Sequence, residues 1–301
     1  MFRNFLLVCV LGLLSACATK FPSPSNAEYV SSAEIKLDKG FSGDQIFEQT
    51  FEAHGGAKLA QLENLNVGLT GKWKQLIRRI QPLVTDYKYR VDSQERILPR
   101  GRIYASQYSG PAGEKSVFRS PSKVEVFYNA TPSIEKEVLS STALTADAFH
   151  LFLLGPLALE EWRGEFTRIS NARFKGREYL RVHLQRTPGF GYSKSDQIVL
   201  WVDPQSKLTK LLQITLEGHS TTKGAHVEVE YLDYVNLDDY VFPVNFFERV
   251  NAPIAIDAHA WQLTGIDINR AYQIKDLQGP SFSGDAEAEA SKQNLQSFRS
   301  D

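Results

Sequence analysis

The chain has 301 residues, with 34 Lys and Arg against 35 Asp and Glu and a formal net charge of −1. Acids and bases are interspersed, which excludes the basic stripe of a nucleic-acid binder and the polybasic block that draws a protein to anionic lipid. Its length is ample for one large domain with its own core.

The first element is a short apolar run at residues 5–14, preceded by Arg3 and closed by Leu14, with Ser15, Ala16 and Cys17 following. It falls short of the ~20 apolar residues a membrane span needs, and a charged start with small residues before a break reads as an export signal. With cysteine in the last position, the segment resembles the lipobox of bacterial lipoproteins. That resemblance implies cleavage after residue 16, a diacylglyceryl thioether on Cys17 and acylation of its new amine. Ala18 behind it resembles lipoproteins sorted to the outer membrane, and buried acyl methylenes at about 0.8 kcal/mol each suffice as the anchor. Cys9 lies inside the expected signal and Met1 is the only methionine. The mature chain would therefore have no free thiol, no disulfide and no cysteine metal site.

Residues 17–40, rich in Pro and Ser near their start, read as a lipidated N-terminus and flexible tether. The domain is expected over residues 41–279, and residues 280–301 as a polar tail. A helix begins near Ser42 or Asp44, with Ile46, Phe47, Thr50 and Phe51 on one face, and ends at His54-Gly55-Gly56. Period-2 runs follow: 65–74, 84–91, 102–108, 116–119, 123–128, 166–172, 179–186, 197–202, 208–217, 226–234, 241–250 and 259–268. Val227, Val229 and Tyr231 take one side while Glu228 and Glu230 take the other; Trp261 and Leu263 share a side opposite Gln262. Short turns between such runs predict an antiparallel meander with one apolar and one wet face. The interruption at 144–162 is a helix apolar almost all round, which has to be buried or to cover something apolar.

Three stretches carry a further resemblance: Phe51-Glu52-Ala53-His54-Gly55-Gly56, Gln197-Ile198-Val199-Leu200-Trp201-Val202-Asp203-Pro204, and Tyr240-Val241-Phe242-Pro243-Val244. With the order of elements, they resemble the LolA/LolB-type superfamily of outer-membrane lipoprotein carriers and receptors. The resemblance implies a mainly β, half-open antiparallel barrel whose helices close an apolar cavity for acyl chains. Candidate cavity or lid residues are Phe149, Phe152, Leu153, Trp162, Trp73, Trp201, Phe246 and Trp261, the 149–154 helix moving to admit ligand. Aromatics at strand spacing equally suit a plain core.

Other constellations point to little chemistry. His54 at a helix end suits an interaction with the helix dipole, and His183, His219, His226 and His259 lack zinc-ligand spacing. Glu160-Glu161 and Asp238-Asp239 read as solvated turns, and Arg78-Arg79 as a solvated edge or a contact to lipid headgroups. Neither a nucleophile elbow nor a phosphate-binding loop appears. The sequence thus leads to a non-enzymatic, cofactor-free lipoprotein of the outer membrane, facing the periplasm and binding an acyl chain or lipidated partner. The alternative is a scaffold that docks an envelope protein, its cavity filled by its own helix.

Overall fold

Ser42 caps the first helix of the computed structural model, which describes Phe21 and residues 40–283. Its hydroxyl accepts from Gln45 N while the Gln45 side chain accepts from Ser42 N, a reciprocal cap that satisfies two orphan donors. Helix α1 (Gly43–Ala53) buries Ile46, Phe47, Thr50 and Phe51, the face its spacing predicts. The signal, Cys17, most of the tether and the tail beyond residue 283 lie outside the described residues.

The strands are β1 (Leu65–Trp73), β2 (Asp92–Leu98), β3 (Ile103–Gly110), β4 (Gly113–Ser120), β5 (Lys123–Tyr128) and the short β6 (Thr131–Pro132). After helix α4 (Lys136–Leu154) come β7 (Thr167–Phe174), β8 (Arg177–Arg186), β9 (Asp196–Val202), β10 (Thr209–Thr215), β11 (His226–Leu237), β12 (Tyr240–Ala252) and β13 (Ile256–Ile268). All thirteen join one antiparallel sheet, in the order β6-β5-β4-β3-β2-β1-β13-β12-β11-β10-β9-β8-β7. The first and last long strands therefore meet in mid-sheet, Trp73 opposite His259 and Leu65 opposite Ile268.

The sheet is strongly curved. Arg119 on β4 forms a bidentate pair with Asp147 on α4, at 2.9 Å for each bond, and also donates to Gly191 O in the β8–β9 loop at 3.2 Å. In a flat sheet β4 and β9 would lie about 38 Å apart, eight strand spacings of about 4.8 Å. Asp147 accepts from Gly191 N as well, at 2.7 Å, so one carboxylate gathers both flanks around the helix. On the far side of α4, Tyr231 of β11 donates to Phe152 O at 2.9 Å. The expected half-open barrel, closed over an apolar helix, is the observed architecture.

Segment 136–162 is long and apolar enough to cross a membrane by length and composition, yet most of it is buried inside the sheet. The helix begins at Lys136, just over two turns before the expected start at 144. Small residues there (Ser141, Thr142, Ala143) let it sit against its neighbours. The expected strand at 84–91 is absent. Its place is taken by the tail of a helical hairpin, α2 (Gln75–Ile80) and α3 (Pro82–Thr85), and a turn in which Asp86 adopts φ 42°. Tyr, Thr and Val favour strands there, but Asp86 is held by the Lys115 ammonium at 2.7 Å and the Tyr128 hydroxyl at 2.6 Å. Tertiary bonding overrides local propensity.

His54 does more than end α1. Its Nδ1–H donates to Val241 O at 2.7 Å and its Nε2 accepts from Thr209 N at 3.1 Å. Those partners specify one neutral tautomer, and burial pushes its pKa down to about 4. A neutral ring gains nothing as a cation at the helix dipole; it staples α1 to β10 and β12. Gly55 follows with φ 97°, and a Cβ there would lie 2.8 Å from Asp239 O.

The Arg119–Asp147 pair gives a direct stability test. Asp147→Ala leaves Gly191 N without its acceptor and a buried guanidinium with only Gly191 O, and the expected loss is about 3 kcal/mol, read from the urea midpoint of unfolding. A change under about 0.5 kcal/mol, the range of an ordinary surface substitution, would mean that the clamp does not hold the sheet closed.

Candidate ligand cavity and its polar end

The hairpin of α2 and α3 covers an apolar cavity of about 160 Å³, walled by Trp73, Ile77, Val84, Val227, Val250 and Ala258 among others. Ile80 and Ile254 line its mouth and are 48% and 61% exposed, with Leu76 and Leu83 of the same short helices 50% and 40% exposed. Lys223 also lines this space and is exposed, as is Arg79, the chain neighbour of Ile80. A paired amide and hydroxyl latch the hairpin to the β10–β11 loop: Gln81 Nε2 donates to Thr221 O, and Thr221 Oγ1 donates to Gln81 Oε1, both at 2.6 Å.

The inner wall of this cavity is polar. Glu248, on β12, faces inward with Phe242, Val244 and Phe246 because it shares their parity along the strand. It pairs in register with His259, and His259 with Trp73. The imidazole and indole stack at 3.8 Å with their planes 2° apart. Arg90 lies over the rings of Trp73, Tyr108 and Phe149 at 5.3, 5.0 and 4.8 Å. Glu95, on β2, completes the group; its Oε1 accepts from Ser93 Oγ at 2.9 Å. A second, water-sized void of about 20 Å³ lies among Arg90, Glu95, Tyr108, His259, Trp261 and Trp73.

These side chains leave an unusual number of polar atoms unpaired. Trp73 Nε1, Trp261 Nε1, Arg90 Nε, Glu95 Oε2, Glu248 Oε2 and both His259 ring nitrogens are buried without a hydrogen-bond partner. The approach of His259 Nδ1 to Glu248 Oε2, 3.9 Å, is too long for one. Each such group costs roughly 1–3 kcal/mol when left dry. Burial lifts the carboxyls of Glu95 and Glu248 to about 7; the Tyr104 and Ser93 hydroxyls and then the Arg90 charge pull Glu95 back, and Arg90 alone pulls Glu248 back. Burial, reinforced by the Arg90 charge, pushes His259 well below its ordinary value.

Of the residues singled out from the sequence, Trp73 lines both spaces. Trp261 and Phe149 line the smaller one. Phe149, Phe152 and Phe246 pack on Trp261 at ring distances of 5.5, 6.1 and 4.9 Å, and with Leu153 and Trp162 they belong to the central core. Trp201 is on the opposite face of the sheet, in a cluster with Phe21, Tyr179, Val199 and Leu211, and its indole N–H donates to Gln213 Oε1 at 2.8 Å. Phe21 is thus buried, though it falls in the segment read as tether.

Arg90, Glu95, Glu248 and His259 were not singled out as site residues. Three of them carried a usable signal, parity. Glu95 alternates in phase with Ile97, Glu248 with Phe246, and His259 with Trp261, all core residues. Among the described residues, no cluster of His, Cys, Asp or Glu is disposed to hold a metal ion.

No protein-family model matches the sequence, and no curated protein matches it. Solved structures do. A LolA superfamily protein from Nitrosomonas europaea matches at 10% identity and TM-score 0.48, over 79% of this chain and 98% of that one. A DUF1329 family protein from Desulfovibrio piger matches at 8% identity and TM-score 0.46, with the same coverage of both chains. A putative outer membrane lipoprotein-sorting protein domain from Vibrio parahaemolyticus matches at 11% and 0.38, over 78% and 95%. The first bears the superfamily name that the three sequence stretches resemble. All three scores are below 0.5.

The Glu248 carboxyl predicts a pH dependence. Its folded pKa is raised from 4.5 to about 7, so its contribution is fully present below pH 4.5 and is lost as the pH rises through 7. Glu248→Gln removes that loss. The variant's melting temperature, relative to the parent, should climb between pH 4.5 and pH 7 and level off above it. A difference independent of pH would show that Glu248 ionises freely in the folded chain.

Proposed function

We propose that this domain takes up the hydrocarbon chain of an amphiphile or lipidated partner, without catalysis, in the cavity beneath α2 and α3. The observation that carries the reading is an apolar cavity that opens at an exposed apolar mouth. Burial of apolar surface at about 25 cal/mol per Å² supplies the affinity. An engineered 150 Å³ apolar cavity accepts a benzene ring, so about six carbons fill this one, and a longer chain continues across Ile80 and Ile254. The basic residues beside the mouth suit an anionic membrane surface. Anchoring of the chain through lipidated Cys17 at the outer membrane, facing the periplasm, belongs to the same proposal.

The element that moves, in this reading, is the hairpin. Helix α4 is held by the Arg119–Asp147 pair and by Tyr231, and its Phe149, Phe152 and Leu153 are buried core. The hairpin has helices of six and four residues and two exposed bonds to the β10–β11 loop. Opening it disturbs far less packing.

Native mass spectrometry of the full-length chain extracted from envelopes tests the proposal. Co-purifying lipid is expected, and Val250→Trp, which fills the cavity from its wall, should lower the occupied fraction roughly tenfold, the effect of about 1.4 kcal/mol. Lipid retained in full by the variant would move the site elsewhere.

A second reading, a lipoprotein that docks an envelope protein, is favoured by the way α4 fills the concave side. It expects a co-purifying protein and a lipid-free mass from the same extract.

A further inference from the structure

We infer that the inner end of the cavity is a head-group site, which admits a single-chain amphiphile ending in a compact, uncharged, hydroxyl-bearing group. The inference rests on the proposed hydrocarbon cavity and specifies what enters it.

Three adjacent strands build the site in one row: Glu248 on β12, His259 on β13 and Trp73 on β1. Trp73 and Glu248 line the apolar cavity, while Trp73 and His259 line the water-sized void behind it. The stacked rings therefore stand where an apolar space and a polar one meet. All three side chains are more than nine-tenths buried, and each has an unpaired polar atom. In the next row Phe246 stands opposite Trp261, and Trp261 opposite Gly71. A Cβ at Gly71 would lie 2.6 Å from His259 Nε2 and 2.8 Å from Trp261 Cβ. Glycine there keeps the edge of the imidazole uncovered.

The mixture of unpaired atoms selects the head group. Indole N–H groups, Arg90 Nε and one imidazole N–H donate; Glu248 Oε2, Glu95 Oε2 and the other imidazole nitrogen accept. A phosphate would bring its negative charge against two carboxyls and offer them nothing. A quaternary ammonium would face Arg90 and has no N–H to give. A hydroxyl donates once and accepts from either ring, matching both sets without adding charge. The void of about 20 Å³ accommodates about one water, so it takes an alcohol or protonated carboxyl terminus, not a sugar or a phosphodiester.

Full-length chain held in amphipol and labelled with ¹⁵N at the tryptophan indoles reports binding at Trp73 and Trp261 directly. The probes are 1-hexanol, hexyl methyl ether, hexyl phosphate and hexyltrimethylammonium, which share one chain length and differ in the head. 1-Hexanol is expected to shift both indole signals and to bind roughly tenfold more tightly than the ether, because a site built for a hydroxyl rejects its capped analogue. Glu248→Met should erase that preference, so that the alcohol and the ether bind the variant with equal affinity. The comparison of probes on the unaltered chain stands even where the variant fails to fold. Hexanoic acid separates the two sources of the hydroxyl: binding at pH 5 equal to that of 1-hexanol assigns the acid, and weaker binding the alcohol.

Equal affinity for all four heads would overturn the head-group site and leave the cavity standing. Tighter binding of the phosphate or the ammonium would overturn the uncharged assignment. If none binds, the site and the cavity fall together.

Discussion

A helix whose last turns are apolar almost all round has to be covered on every side there, and much of this fold follows from covering α4. Its side chains at 149, 151, 152, 153 and 154 are all buried, so a sheet laid flat against one flank would leave the others wet. Thirteen strands curl around it instead, and Asp147 gathers strands that a flat sheet would hold far apart. The curvature also fixes which residues can reach the interior. Inward positions on β1, β2, β12 and β13 converge beside the helix, and the hairpin of α2 and α3 roofs the space left over.

That interior is not uniformly apolar. The outer face of the sheet satisfies its charges openly: Lys175 pairs with Glu230 at 2.7 Å, and Arg249 reaches Glu228 and Glu230 at 3.4 and 3.5 Å. The inner cluster of Arg90, Glu95, Glu248 and His259 has no such completeness. Unmet buried polar atoms occur elsewhere, on Arg96, His150 and His219 among others, but seven of the seventeen among the described residues lie in this one cluster beside the cavity. This concentration distinguishes the cavity from a packing defect.

Much of the architecture was legible in the sequence because alternation and helical spacing are local signals. The face of α1, the strand faces of Val227 and Tyr231, and the burial of the 144–162 segment all follow from them. Even the three stretches behind the family resemblance have a common physical meaning: His54 of the first bonds Val241 of the third and Thr209 just beyond the second. The hairpin was not legible. Its residues from Thr85 to Val91 are strand formers, and what turns them is Asp86 bonded to Lys115 and Tyr128, far along the chain. The polar cluster was half legible. Parity put Glu95, Glu248 and His259 inward, but a charged residue in a strand is read as solvent-facing until its neighbours across the sheet are known. Arg90 lies in a turn, where alternation says nothing.

The meeting of β1 with β13 has a kinetic side. A chain emerging N-terminus first can pair β1 through β6 early, but the other edge of β1 stays open until almost the whole domain has appeared, a separation of nearly 200 residues along the chain. Such distant pairings form slowly and expose strand edges meanwhile. The Trp73–His259 stack straddles this seam, so the cavity comes into being only when the two halves join. A ligand held there binds the joined state alone, and its binding energy is added to the seam that was last to close.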